Sequence, residues 1–292
     1  MRRLVVSFSG GRTSGYMTKR ILDAWQDQYD EIIVLFANTG QEHEKTLEFV
    51  NNCDKHFGFN AVWLEAAVDP EKGVGTKYTV TNYLAASRAG APFEAVIAKY
   101  GIPNLNMFHC TRELKLQPMK AYLRSIGWDK NDTAIGIRVD EIDRMSATAD
   151  SARIVYPLVK WGITKRDVLS WWRKQPFDLD IPEHYGNCLW CWKKSDRKLF
   201  TLAKEHPEWF EFPARMEAEY GTVGAAYKKY GVPQTFFRKY RGAGDIIASS
   251  KGEFTPYSEQ RLPTFGEQQL ELDISNGCTE SCEVNWEESA DE

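Results

Sequence analysis

A strand, two glycines and a helix in immediate succession leave the start of this chain few ways to fold. Leu4-Val5-Val6-Ser7-Phe8 is a β-branched and aromatic run that reads as a buried strand. Ser9-Gly10-Gly11-Arg12-Thr13-Ser14 follows, and a helix is predicted over about residues 14–25. In such a strand-loop-helix unit, backbone N–H groups and the positive end of the helix dipole converge on one point, which attracts phosphate. Glycine suits the turn because a Cβ would block close approach or forbid positive φ. Ser9, Thr13 and Ser14 add hydroxyls. The spacing is neither Gly-x-x-x-x-Gly-Lys nor Gly-x-Gly-x-x-Gly. A tight turn that binds nothing would use the same residues.

Ser-Gly-Gly-x-x-Ser after a first strand resembles the pyrophosphate-binding loop of the PP-loop ATP pyrophosphatases. Ser-Gly-Gly-Arg-Thr-Ser is most similar to the phosphoadenosine phosphosulfate (PAPS) reductase branch of that superfamily. The resemblance implies an α/β fold, a parallel-sheet PP-loop (adenine nucleotide α-hydrolase-like) domain. It extends through further elements over about residues 4–192.

The second strand, Glu31-Ile32-Ile33-Val34-Leu35-Phe36-Ala37, ends in Asn38-Thr39-Gly40, and Thr39 with Glu42 has the form of a capping box for the next helix. A third strand covers residues 61–65. Strands alternating with helices predict a parallel sheet with right-handed crossovers, in which ligands bind beyond the carboxyl ends of the strands. The 9–14 and 38–42 loops therefore share one rim. In the family the second loop lies near adenine and ribose, which implies roles there for Asn38, Thr39, Gly40 and Glu42. Residues 66–108 read as an insertion covering this site: a polar stretch to Asn82, a helix over 83–88 and a second helix ending near Tyr100.

Cys110-Thr111-x-x-x-Lys115-x-x-Pro118 and Gly136-Ile137-Arg138-x-x-Glu141, with Arg144 beyond, resemble two more family elements. Arg112, Lys115 and Arg138 would bring positive charge to a phosphate or sulfonyl group. Solvated helix charges, or a salt bridge among Arg138, Glu141 and Arg144, would account for the same residues. Thr164 to Asp167 forms another capping box, opening a helix through Trp172.

The six cysteines are too few for a disulfide scaffold and point to metal or redox chemistry. Cys188-Leu189-Trp190-Cys191 would serve as a zinc half-site, a redox dithiol or part of an iron–sulfur site. Adenylylsulfate reductases, of the same superfamily, hold a [4Fe–4S] cluster with a Cys-Cys pair and a later Cys-x-x-Cys. Matched to them, this chain offers Cys110, Cys188 and Cys191 as ligands, with His109 in place of the fourth. A three-cysteine cluster with an open iron, as in some PP-loop tRNA thiolation enzymes, is the other arrangement, and Zn²⁺ the alternative metal. Cys278 and Cys282 would complete a metal site or supply a nucleophilic thiol. The reductase signature Glu-Cys-Gly-Leu/Ile-His is not matched at Glu280-Ser281-Cys282-Glu283-Val284. Cys53 reads as structural.

Charge bears on partners. The chain carries −4 overall, but from Glu267 onward it has nine acidic residues and no Lys or Arg; the remainder holds 37 basic against 32 acidic residues. A mildly basic body suits an anionic substrate. Tryptophans and phenylalanines mix with lysines and arginines over about residues 171–241, a pattern that fits single-stranded nucleic acid but equally a core with a charged rim. With no apolar run of membrane-spanning length, a cytoplasmic protein with no membrane partner is expected.

The expected layout is a PP-loop nucleotide-binding domain at 1–175, a Cys-x-x-Cys and aromatic/basic helical module at 176–250, and a loop with an acidic tail at 251–292. The leading expectation for function is Mg²⁺-assisted cleavage of ATP between the α- and β-phosphates, adenylating an acceptor for sulfur transfer. Ser9, Gly10, Gly11, Arg12, Thr13 and Ser14 would hold the nucleotide, with Arg138 and Lys115 catalytic; a nucleic acid or a sulfur-donor protein would be the partner. The alternatives are a sulfonucleotide reductase using Cys282, and a nucleic-acid-binding protein without turnover.

Overall fold

The first strand, β1 (Arg3–Ser7), lies inside its sheet because both of its faces are apolar. Leu4, Val6 and the following Phe8 enter one core, whereas Val5 enters another, as the two-residue period of a strand requires. The computed structural model describes residues 1–258 apart from 72, 106 and 187. The other strands are β2 (Glu31–Asn38), β3 (Val62–Ala67), β4 (Lys77–Thr81), β5 (Asp132–Ala134) and β6 (Ile154–Val155). They form a six-stranded sheet in the order β4-β3-β2-β1-β5-β6. Neighbours are parallel except β3 and β4, which run antiparallel.

Leu4 faces Ile32 of β2 on one side and Asp132 of β5 on the other, so the chain order reverses at β1. This is the topological switch point, where crossovers diverge to opposite faces and leave a crevice at the carboxyl ends. One face is covered by α1 (Arg12–Ala24), α2 (Glu44–Phe57) and, later in the chain, α7 (Lys165–Trp172). The other is covered by α5 (Gln117–Ser125), through Met119 and Leu123. A third cluster joins α3 (Ala91–Tyr100) to α8 (Asp196–Glu205), α9 (Glu211–Tyr220) and α11 (Ala243–Ser250) around buried Trp190 and Trp192. The short helices α4 (His109–Thr111), α6 (Pro157–Lys160) and α10 (Gly224–Tyr230) complete the set. Among the described residues no helix is long and apolar enough to cross a membrane.

Several local expectations change. The polar stretch before Asn82 is the edge strand β4, and residues 83–88 form a turn rather than a helix. The Asn82 carboxamide oxygen accepts the amides of Leu84 and Ala85, an Asx turn that competes with helix. The second helix is present as α3, with Gly90 as its N-cap and Pro92 in its first turn. Strand β5 stops at Ala134, and Arg138 caps a 3₁₀ turn, Val139–Arg144. The expected Thr39–Glu42 box closes on itself, with the Glu42 carboxylate accepting the Thr39 amide and hydroxyl, but α2 begins beyond it, capped by His43. The Thr164–Asp167 box is present as expected.

Candidate nucleotide and thiol site

The 9–14 loop leaves β1 at the switch point. Gly10 has φ +80°, and a Cβ there would stand 2.8 Å from Thr46 Cγ2, so the loop folds flat against α2 only with glycine. Gly11 caps α1 with extended backbone and no side-chain hydrogen bond among the described residues, so the first-turn amides of α1 lack a side-chain cap. The Ser9 and Ser14 hydroxyls lie 2.9 Å apart, and the Ser9 amide donates to Ser14 Oγ. Trp172 Nε1 donates to the Arg12 carbonyl at 2.8 Å, tying the loop to α7.

Two charged residues of this region behave differently. Arg12 turns away from the loop mouth: its Nε donates to Asp178 at 2.7 Å, and Nη2 donates to the Leu179 carbonyl. Its guanidinium therefore fastens the chain after α7 instead of meeting phosphate. Arg138 turns in. It is buried, and Nη1 donates to Thr13 Oγ1 at 2.7 Å, joining the connection after β5 to the loop across the switch point. Its other nitrogens pair with Asp140 at 3.3 Å and Glu141 at 3.2 Å, while Arg144 holds Glu141 at 2.6 Å. The ion-pair network and the aimed guanidinium are thus the same structure.

In the 38–42 loop, Asn38 Nδ2 donates to Glu65 Oε1 and to the Ser87 carbonyl, so part of the insertion packs against this loop. Thr39 Oγ1 is 3.5 Å from Cys188 Sγ, and Glu42 forms an isolated bridge with Cys188. The Leu189 amide donates to the Gln41 carbonyl, and Trp190 Nε1 donates to Gln41 Oε1 at 2.6 Å. These bonds fix the Cys-x-x-Cys turn onto the rim.

Cys110, Cys188 and Cys191 line one cleft, together with Thr39, Lys115 and Trp192. Lys115 reaches it from a π-helical turn, Arg112–Leu116, between α4 and α5. Arg112 pairs with buried Glu113 at 2.9 Å. His109 Nε2 lies 3.0 Å from the Gly101 carbonyl, its buried Nδ1 has no hydrogen-bond partner among the described residues, and burial pushes its pKa down to about 4. Among the described residues no three or more His, Cys, Asp or Glu side chains gather closely enough to hold a single metal ion, so neither zinc nor the expected four-ligand iron–sulfur set of Cys110, Cys188, Cys191 and His109 is supported there. Cys53 is fully buried in the core, and burial pushes its thiol up. Cys278 and Cys282 lie outside the described residues.

Before the Cys-x-x-Cys turn, the Glu183 carboxylate joins α7 to α8, meeting Lys165 Nζ at 2.6 Å and Lys198 Nζ at 3.1 Å. Burial opposes its ionisation, but the two ammonium groups win and hold its pKa at about 2, against an ordinary 4.5. The folded value is depressed, so this stabilisation is complete above about pH 4.5 and disappears as the pH falls through about 2. Acid unfolding of a Glu183→Gln chain should therefore depend less on pH across that window, as circular dichroism would read.

The Gln41–Trp190 bond, the Trp172–Arg12 bond and the Lys194 ammonium, which donates to the Cys188 and Leu189 carbonyls, escaped sequence reasoning. Trp190 and Trp172 offered only an apolar signal, and nothing in the spacing pairs either with a loop more than a hundred residues away.

The family model described as the phosphoadenosine phosphosulfate reductase domain matches residues 3–178. An uncharacterized nin region protein of Escherichia phage lambda is 36% identical over 205 residues, covering 69% of each chain. An uncharacterized protein of Methanocaldococcus jannaschii is 23% identical over 242 residues, 78% of this chain and 45% of its own length. The crystal structure of phosphoadenylyl-sulfate reductase from Candida auris, a phosphate complex, superposes with a TM-score of 0.35 at 16% identity, over 60% of this chain and 73% of that one.

Proposed function

Because the chain belongs to the phosphoadenosine phosphosulfate reductase domain family, we propose that it is a PP-loop enzyme that binds ATP at the 9–14 loop and cleaves it between the α- and β-phosphates. The observation that carries the reading is Arg138, a buried guanidinium held by two carboxylates with Nη1 on Thr13 Oγ1 at the first turn of α1. Pyrophosphate would lie on the amides of Gly10, Gly11 and the first turn, with the Ser9 and Ser14 hydroxyls beside it. An acceptor oxygen attacks the α-phosphorus, the α–β bridging oxygen leaves with pyrophosphate, and the acceptor becomes an adenylate. A sulfur nucleophile then displaces AMP. Arg138 would offset the charge that develops on the phosphoryl oxygens, and its network keeps it in place before substrate arrives.

The loop presents Thr13 and no carboxylate, so Mg²⁺ would be held by the nucleotide's own phosphates. Cys110, Cys188 and Cys191 line the same cleft, and they would be the ligands to a cluster larger than a single ion. A [4Fe–4S] cluster on these three thiolates would supply an iron able to carry a sulfur next to the nucleotide. Lys115, lining the same cleft, would offset negative charge there. Anaerobic purification tests this: a brown protein with iron and acid-labile sulfide is expected, and a colourless one overturns the cluster.

ATP–pyrophosphate exchange tests the main reading. Arg138→Lys keeps one charge but loses the fork that spans Thr13, Asp140 and Glu141, and should lower exchange by roughly 10²-fold. Exchange that survives a double Cys278→Ser, Cys282→Ser change supports adenylation. Sulfite release that depends on those cysteines, without exchange, would instead identify a sulfonucleotide reductase.

A further inference from the structure

Most of the aromatic residues that alternate with bases are core. Trp190, Trp192, Phe210, Phe236 and Phe237 are all buried. Three others are not: Phe108, Tyr230 and Tyr240 are 44%, 53% and 84% exposed. Each stands beside a lysine. Lys193 Nζ lies 5.9 Å from the Phe108 ring centre, Lys229 Nζ lies 5.1 Å from that of Tyr230, and Tyr240 follows Lys239.

The segments that carry them, 101–111, 186–195 and 221–244, contain seven Lys or Arg and no Asp or Glu. The fold brings all three together. Asn104 Nδ2 donates to the Thr235 carbonyl at 3.0 Å, Arg238 donates to the Lys193 and Lys194 carbonyls, and the Phe108 and Trp192 rings are 5.8 Å apart. Trp192, Lys193 and Cys110 also line the thiol cleft, so these segments border its mouth; the Glu217 carboxylate accepts the Phe236 and Ala243 amides from beneath them. Asp196, just outside these segments, pairs with Arg241 at 2.6 Å and Arg238 at 4.0 Å. Lys228, Lys229 and Lys239 are exposed and pair with no carboxylate among the described residues. Lys239 and Tyr240 both have positive φ, 61° and 57°, an uncommon backbone for residues other than glycine.

We propose that this surface docks single-stranded nucleic acid, with phosphates on Lys228, Lys229, Lys239 and Lys193 and bases stacked on Phe108 and Tyr240. A polyanion that also offers flat π-faces is the partner that rewards both halves of the pattern, whereas a duplex hides its faces and a lipid headgroup has none. That the bound strand is also the acceptor rests on the adenylation reading; the docking itself does not.

The test uses the full-length protein and fluorescein-labelled single strands of about 20 nucleotides, read by anisotropy from about 50 to about 200 mM salt. Micromolar binding is expected, weakening with a slope of about −3 in log affinity against log salt for four phosphate contacts. Lys228→Glu, Lys229→Glu and Lys239→Glu together should weaken binding at least tenfold and flatten the slope. Phe108→Ala with Tyr240→Ala should weaken it by about fivefold or more without changing the slope. No binding at the low-salt end, equal binding to duplex or to anionic vesicles, or variants that bind like the parent would overturn the proposal. ATP binding is measured on the same proteins. Its absence with strand binding intact counts against the nucleotide reading alone.

Discussion

A Gly10→Val chain is expected to lose ATP binding and to melt well below the parent protein. At φ +80° a side chain costs about 1–2 kcal/mol in backbone strain. Its Cβ would also lie 2.8 Å from Thr46 Cγ2 and 3.2 Å from Phe36 and Val50, and overpacking of this kind costs about 1–3 kcal/mol. Together these predict a loss of roughly 2–5 kcal/mol. The loop cannot relieve the clash by retreating, since Thr46 and Val50 belong to α2 and Phe36 to β2, all inside the largest core cluster or against it. It must lift away instead, and the amides at the start of α1 then lose their common focus. Calorimetric titration with ATP and a thermal melt read the two consequences separately. A Gly10→Val protein that binds ATP like the parent would remove the loop from the site.

Trp172→Ala should destabilise the fold by about 3–5 kcal/mol, the usual cost of deleting a large buried ring. Trp172 has no exposed surface; its ring packs 4.7 Å from Phe49 and 5.7 Å from Phe177, and fills the space beside Gly15. Trp172→Phe separates packing from positioning. It keeps an aromatic ring but leaves the Arg12 carbonyl without its indole donor, at about 1–3 kcal/mol. If that bond positions the phosphate loop, the phenylalanine variant loses more ATP affinity than its stability predicts. Parallel changes in both would make Trp172 a core residue and nothing more.

What the sequence made legible followed periodicity and turn chemistry. Strict alternation of polar and apolar residues is absent from the central strands. Instead, the unbroken apolar runs of β1 and β2 announced a sheet covered on both faces, and the glycines after β1 marked its loop. The Thr164–Asp167 box was readable because both partners are local. By contrast, Lys77-Tyr78-Thr79-Val80-Thr81 is an exposed edge strand whose polar residues look like loop, and its pairing with β3 is a tertiary fact. The 83–88 turn was lost to a helix because Leu84, Ala85 and Ala86 carry helix propensity that one Asn82 side chain overrides. At the site, motif order brought Cys110, Cys188, Cys191 and Lys115 to one cleft. It did not foresee where the side chains of His109 and Arg12 point: His109 Nε2 faces the Gly101 carbonyl and the Arg12 guanidinium faces Asp178. Residue type is written in the sequence; the direction of a side chain is set by packing.

The bonds from Gln41 to Leu189 and Trp190 give the two halves of the site a common mechanical fate. A ligand that orders the 38–42 loop also orders the turn bearing Cys188, and thermodynamic reciprocity then requires the converse by the same factor. An occupied thiol cleft would tighten the grip on nucleotide as much as nucleotide tightens the cleft. Under the adenylation reading proposed above, nucleotide at the loop and a group in the cleft would therefore bind cooperatively.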